Sequence, residues 1–173
     1  QLHTAATVLE AVSVLRKLGW DIDDEAVESG LYSVAWPARF EVLHTDDPWF
    51  VLDGGHNPQC AAALRECLEH YFPDSKRVAL VGVLKDKDYK SIAATLAPLF
   101  DACVCVTPPS ERALPAEELA ELFKDSCREV CVAGTVEDGV DLARDIAQEQ
   151  DAMVCAFGSL YICGQIRSCF GLR

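Results

Sequence analysis

The residues best equipped for chemistry sit in two short stretches. In Val51-Leu52-Asp53-Gly54-Gly55-His56-Asn57-Pro58, a carboxylate and an imidazole stand three residues apart on a glycine turn. A carboxylate at a strand end can accept the hydroxyls of a ribose, as acids do in nucleotide folds. Equally, it can accept the backbone N–H groups of its own turn. A free imidazole exchanges protons near neutrality, which suits His56 to proton transfer, and His56 can as readily be a hydrogen-bonded structural histidine. The second stretch is Gly158-Ser159-Leu160-Tyr161. Ser159 suits a helix cap; the same place offers a hydroxyl and free N–H groups to a carboxylate. Tyr161 reads as a core residue or as a neighbour of that site. Three cations stand apart. Arg39 opens a strand, Lys85 belongs to the charged run Lys85-Asp86-Lys87-Asp88, and Arg112 follows two prolines. Lys85 is either part of a solvated face or a contact for an anionic substrate, and Arg112 either a loop residue or a carboxylate partner.

Both stretches need the same scaffold: a strand that ends, turns sharply and hands over to a helix N-terminus. Trp49 to Asp53 reads as a strand, Asn57 as an N-cap and Pro58 as the first residue of a helix to about Tyr71, with Ala61, Leu64, Leu68 and Tyr71 on one face. Phe40 to His44 with the turn Thr45-Asp46-Asp47-Pro48 makes a hairpin onto that strand. Continuous apolar runs then alternate with helical patterns. Strands are expected over 77–84, 101–107, 130–133 and 152–157, and helices over 88–100, 115–124, 136–148 and 160–170. Strands apolar on both faces belong in a buried parallel sheet. The fold class is therefore α/β: a Rossmann-like, three-layer domain with about six strands, mostly parallel, one antiparallel strand at an edge, and right-handed crossovers. Ligands of such sheets bind beyond the carboxyl ends of the strands.

Ahead of this lie two helices, one capped by Thr4 and stopping near Gly19, one starting after Asp23, and then Trp36-Pro37. They are too few to build a core, which divides the chain into 1–37 and 38–173. The chain begins with Gln1 rather than Met, as a fragment would, and carries no charged-then-apolar leader pattern. Its net charge of −13 argues against nucleic acid or an anionic membrane as partner, and no apolar run is long enough for a membrane span. Nine cysteines without a Cys-x-x-Cys read as small core residues of a protein in a reducing cytoplasm, with no metal site among them.

Trp36-Pro37-Ala38-Arg39-Phe40-Glu41, Leu52-Asp53-Gly54-Gly55-His56-Asn57-Pro58, Arg112-Ala113-Leu114-Pro115 and Gly158-Ser159-Leu160-Tyr161 together resemble the C-terminal domain of the folylpolyglutamate synthase and dihydrofolate synthase branch of the Mur ligase family. The resemblance covers nearly the whole chain. It departs at Ala38, where the family more often has Gly, and at Gly55, where it more often has Ala.

The resemblance implies an ATP-dependent ligase of the cytoplasm, a monomer, in which ATP phosphorylates a carboxylate of a pteroate or folate and L-glutamate attacks the acyl phosphate. It implies ATP contacts for Arg39, Asp53 and His56, with His56 also able to take a proton from the attacking ammonium, and glutamate contacts for Ser159, Tyr161, Arg112 and Lys85. It also implies that residues 1–37 are the last helices of a larger ATPase domain, which holds the phosphate loop and Mg2+. No Gly-x-x-x-x-Gly-Lys-Ser/Thr pattern occurs in these 173 residues, so the chain by itself is expected to be inactive. A non-catalytic anion-binding module and the matching domain of a peptidoglycan-precursor ligase are the competing readings.

Overall fold

The computed structural model of the chain describes residues 2–44, 46 and 48–172. It divides into two compact units at Trp36/Pro37. In the first, α1 (Leu2–Lys17) and α2 (Asp24–Ser33) are joined by a turn in which Gly19 takes a left-handed φ of 93°. Arg16 fastens the pair, donating to Ile22 O at 2.7 Å and to Asp24 Oδ1 at 2.8 Å. Asp23 caps α2 through Ala26 N, as its place in the sequence predicts. Thr4, expected as a cap, lies inside the first turn of α1 instead. No residue of α2 is buried, in keeping with a segment too small to make a core.

The second unit is built on one six-stranded sheet, β1 (Glu41–His44), β2 (Phe50–Asp53), β3 (Lys76–Val81), β4 (Ala102–Cys105), β5 (Glu129–Val132) and β6 (Ala152–Phe157), in the order β1-β2-β6-β3-β4-β5. Only β1–β2 is antiparallel, with a register shift between Val42 and His44; every other pair is parallel. The helices are α3 (Pro58–Tyr71), α4 (Tyr89–Leu96), α5 (Ala116–Glu121), α6 (Val136–Gln150) and α7 (Leu160–Cys169). Alternate residues of each strand supply two cores. Val51, Ala79, Val81, Cys103, Cys155 and Phe157 pack with α3, α4 and α5 on one face. Phe50, Leu52, Val78, Leu80, Val104 and Val154 pack with α6 and α7 on the other. This is the three-layer arrangement expected from doubly apolar strands.

Several local expectations change. Phe40 does not begin β1: its φ is 47°, and Ala38 stands at 57°, so Arg39 lies in a turn bracketed by two left-handed residues rather than at a strand start. Trp49 stops short of β2, although its carbonyl accepts from Val154 N at 2.8 Å. The apolar run after Val81 leaves the sheet at Gly82, and only Leu84 re-pairs, as an isolated antiparallel bridge to Ala113. Tyr71, expected on the buried face of α3, is 64% exposed and lies against Phe40. The turn expected over Thr45-Asp46-Asp47-Pro48 includes Thr45 and Asp47, which fall outside the described residues.

One cation in the core has a structural task. Arg77 is buried, and its guanidinium donates to Leu99 O, Leu68 O and Phe72 O. It thereby gives a donor to carbonyls at the end of α3 and in the turn after α4, where Leu68 O also accepts from Phe72 N at 3.0 Å.

Candidate functional site at the strand ends

β6 is inserted between β2 and β3, and the helix that follows it, α7, lies on the opposite face from α3 and α4. The turns after β2 and β3 therefore lead away to one side and the turn after β6 to the other, which opens a crevice on either side of β6 at its carboxyl end. This is where an open α/β sheet binds ligands. The three turns meet through backbone: Gly158 N donates to Gly55 O at 3.1 Å, and Gly82 N to Phe157 O at 3.3 Å. Gly158 has a φ of 112°, and a Cβ there would lie 2.7 Å from Gly82 O; one at Gly54 would lie 2.4 Å from Leu160 Cδ2. At Gly158 only glycine fits, because both the φ and the obstructing oxygen belong to the backbone, whereas at Gly54 the obstacle is the movable end of the exposed Leu160 side chain.

Both carboxylate oxygens of Asp53, at the tip of β2, accept backbone N–H groups. Its Oδ1 accepts from Gly55 N at 2.7 Å and its Oδ2 from Phe40 N at 2.9 Å. It shapes its own turn and pins the Arg39 turn. Each oxygen keeps one further lone pair for a ligand hydroxyl. His56 is half-buried, with Nδ1 3.1 Å from Gly54 O. A carbonyl only accepts, so Nδ1 carries the proton, and in the neutral ring Nε2 is left as the free acceptor. Asn57 caps α3 through Cys60 N at 2.8 Å, with Pro58 in the first turn. Arg39 is exposed and has no hydrogen-bond or ionic partner among the described residues.

The second group of candidates divides. Ser159 is 2% exposed, and its hydroxyl accepts from Tyr161 N at 3.2 Å, making it the N-cap of α7. Tyr161, at the surface, and Arg112 come together, with Arg112 Nη2 3.3 Å from the Tyr161 hydroxyl and the guanidinium 5.9 Å from the ring centroid. Arg112 also pairs with Asp86 at 2.9 Å. The Tyr161 hydrogen bond first, and the Asp86 charge second, push the Arg112 pKa up from its ordinary value. Lys85 joins this group through its backbone, donating to Arg112 O at 2.8 Å.

Two residues, one beside each group, escape sequence reasoning. Glu41 Oε2 accepts from Ala38 N at 2.7 Å, and its Oε1 pairs with Arg167 of α7. Glu41 stands in the quoted motif, but nothing in its spacing announces a partner 126 residues on. Asp86 is likewise legible only as one charge in a run. Among the described residues, no three His, Cys, Asp or Glu side chains converge as a metal ion would need. All nine cysteines are free. Burial pushes Cys163 up to about 12 and Cys127 up to about 11, so both are neutral thiols at physiological pH.

A family profile described as Mur ligase, glutamate ligase domain, matches residues 38–160. The chain belongs to the Mur ligase family. Among Mur ligase relatives, the dihydrofolate synthase/folylpolyglutamate synthase of Mycobacterium tuberculosis is 33% identical, over 99% of this chain and 38% of its own length. The probable bifunctional folylpolyglutamate synthase/dihydropteroate synthase of Halobacterium salinarum is 35% identical, over 96% of this chain and 20% of its own. The crystal structure of M. tuberculosis folylpolyglutamate synthase complexed with ADP and AMPPCP superposes with a TM-score of 0.85 at 32% identity, over 96% of this chain and 39% of that one. The chain thus spans two fifths or less of these relatives, and the matched part is their C-terminal portion.

Proposed function

We propose that this chain is the C-terminal part of an ATP-dependent ligase that adds L-glutamate to dihydropteroate or folate. The observation that carries the reading is the turn Asp53–Pro58 at the switch-point crevice, in a chain matched almost end to end by relatives named folylpolyglutamate synthase. Residues 1–37 are taken as the last helices of the preceding ATPase domain. ATP transfers its γ-phosphoryl group to the carboxylate, releasing ADP; the glutamate amine attacks the acyl phosphate, forming the amide and releasing phosphate and a proton.

Within that scheme Arg39 faces the nucleotide as a fixed cation for phosphate oxygens, and Asp53 accepts the ribose hydroxyls with the lone pairs its backbone bonds leave open. His56 presents Nε2 to the phosphate or acyl phosphate, where it donates when protonated and takes a proton from the incoming ammonium when neutral. Arg112 and Lys85 supply positive charge for the glutamate carboxylates. Tyr161 orients Arg112, and Ser159 holds the start of α7 in place beside them. Mg2+ neutralises phosphate charge, and its ligands are assigned to the preceding domain. Nine free cysteines suit the cytoplasm, and no helix among the described residues is long and apolar enough to cross a membrane. The enzyme is taken as a monomer, which size-exclusion chromatography with light scattering would test.

The experiment is an ADP-release assay on the full-length protein with Mg-ATP, L-glutamate and either dihydropteroate or folate. Release should require all three components, and the 173-residue chain alone should give none. Activity with a UDP-muramoyl peptide precursor in place of the pteroates would reject the folate reading.

A further inference from the structure

Arg39 is held by a turn whose shape it cannot maintain by itself. Both of its neighbours, Ala38 and Phe40, are non-glycine residues in the left-handed region, at φ 57° and 47°. Such backbone persists only where surrounding contacts over-determine it. Three polar ties do so: Gly54 N to Ala38 O at 2.7 Å, Phe40 N to Asp53 Oδ2 at 2.9 Å, and Ala38 N to Glu41 Oε2 at 2.7 Å. The first two come from the neighbouring β2 turn. The third depends on a carboxylate that is itself gripped by Arg167, in an ion pair whose side chains are only 22% and 13% exposed. A partly buried carboxylate needs such a partner to stay charged and fixed. Through Glu41, the last helix of the chain reaches back to the turn that presents Arg39.

We propose that Glu41, locked by Arg167, is a positioning residue for Arg39, setting the turn so that the exposed guanidinium meets the nucleotide phosphates without rearrangement. This rests on the reading of Arg39 as an ATP contact. Pre-organisation of this kind lowers the cost of binding without itself touching the ligand, so its loss appears in ATP affinity and only through Arg39.

The test is a double-mutant cycle in the full-length ligase, with ATP and glutamate kinetics and a thermal melt for each variant. Arg39→Ala should raise the ATP KM about tenfold. Glu41→Gln should raise it by a similar factor and leave the glutamate KM within about twofold. In the Arg39→Ala background Glu41→Gln should add nothing further. Arg167→Lys, which keeps the ion pair, should hold the ATP KM within about threefold of wild type. Should Glu41→Gln fail to fold, Arg167→Met carries the same cycle. An Arg39→Ala enzyme with unchanged ATP KM would overturn the ATP role of Arg39 and the positioning role with it. A raised KM for Arg39→Ala with Glu41→Gln silent, or with the two effects multiplying, would overturn the positioning role alone.

Discussion

The turns after β2 and β6 are built to one local plan, a strand ending in glycine, a polar N-cap and a helix, yet they differ in what they leave over. After β6 the polar side chain is consumed. Ser159 is buried and its hydroxyl accepts from Tyr161 N. After β2 the cap is a separate residue, Asn57, so Asp53 and His56 are not needed to start the helix. Asp53 holds backbone N–H groups yet keeps a lone pair on each oxygen, and His56 keeps Nε2 free. A helix start becomes a site for chemistry when capping falls to one residue and the reactive group sits on another.

The largest effect expected is in the glycines. Gly158→Ala combines a φ of 112° with a Cβ 2.7 Å from a backbone oxygen and should cost about 3 kcal/mol in urea unfolding. Gly55→Ala, outside the left-handed region but with a Cβ 2.8 Å from the Cys60 Cβ and 2.7 Å from Asp53 Oδ1, should cost about 2 kcal/mol by the same measure, since the φ adds no strain but the Cys60 Cβ is fixed to the α3 backbone. The reverse order would mean that the β2 turn is the tighter of the two. Next, Asp53→Ala strips two N–H groups of their acceptor and should lower stability by about 2–3 kcal/mol. Asp53→Asn, keeping one carbonyl oxygen, should lose about half of that by the same reasoning.

His56→Ala should do the opposite. In the full-length enzyme we expect kcat/KM for ATP to fall about tenfold or more, with unfolding changed by less than about 0.5 kcal/mol. A large loss of stability with normal kinetics would make His56 a structural residue like Ser159. Ser159→Ala should cost about 1 kcal/mol, as lost caps do, and leave the glutamate KM within about twofold. A tenfold rise would put its hydroxyl on the substrate and erase the contrast.

The smallest effects concern thiols. Cys163 Sγ donates to Ser159 O at 3.3 Å in the closed turn, whereas Cys60 in the first turn of α3 is half-exposed. Maleimide at neutral pH should label Cys60 and spare Cys163, as mass spectrometry of digests would show. Burial holds the Cys163 and Cys127 thiols near 12 and 11, against 9.0 for an ordinary thiol. Between pH 9 and 11 the unfolded chain has released these protons while the folded chain keeps them. The unfolded state then binds fewer protons, so stability falls as pH rises. The denaturant midpoint should decline through that window, and Cys163→Ala should make the decline shallower.

The sheet is largely legible in the sequence because β3, β4 and β6 are short apolar runs, and such runs have few other places to go. The caps Asp23 and Asn57 were legible for the same local reason, a polar residue immediately ahead of a helical pattern. What could not be read was set from a distance. The left-handed backbone of Ala38 and Phe40 is imposed by Glu41, Asp53 and Gly54. Tyr71 fits the helical period of α3 but falls beyond its buried face. Arg77 begins an apolar strand and shows its task only once α3 and the turn after α4 bring their carbonyls to it.

The position of β6 also orders the chain in time. Residues 152–157 are the last of the six strands to be synthesised, yet they lie inside the sheet, hydrogen-bonded to β2 on one side and β3 on the other. Before they emerge from the ribosome, β1–β2 and β3–β4–β5 are two ribbons, each with an open, apolar edge and no strand pairing with the other. Such edges invite foreign strands, and pairings this far apart in sequence form slowly. The nascent chain therefore stays open to aggregation until β6 is made, and a stop codon anywhere before Ala152 leaves two half-sheets with no strand to pair them.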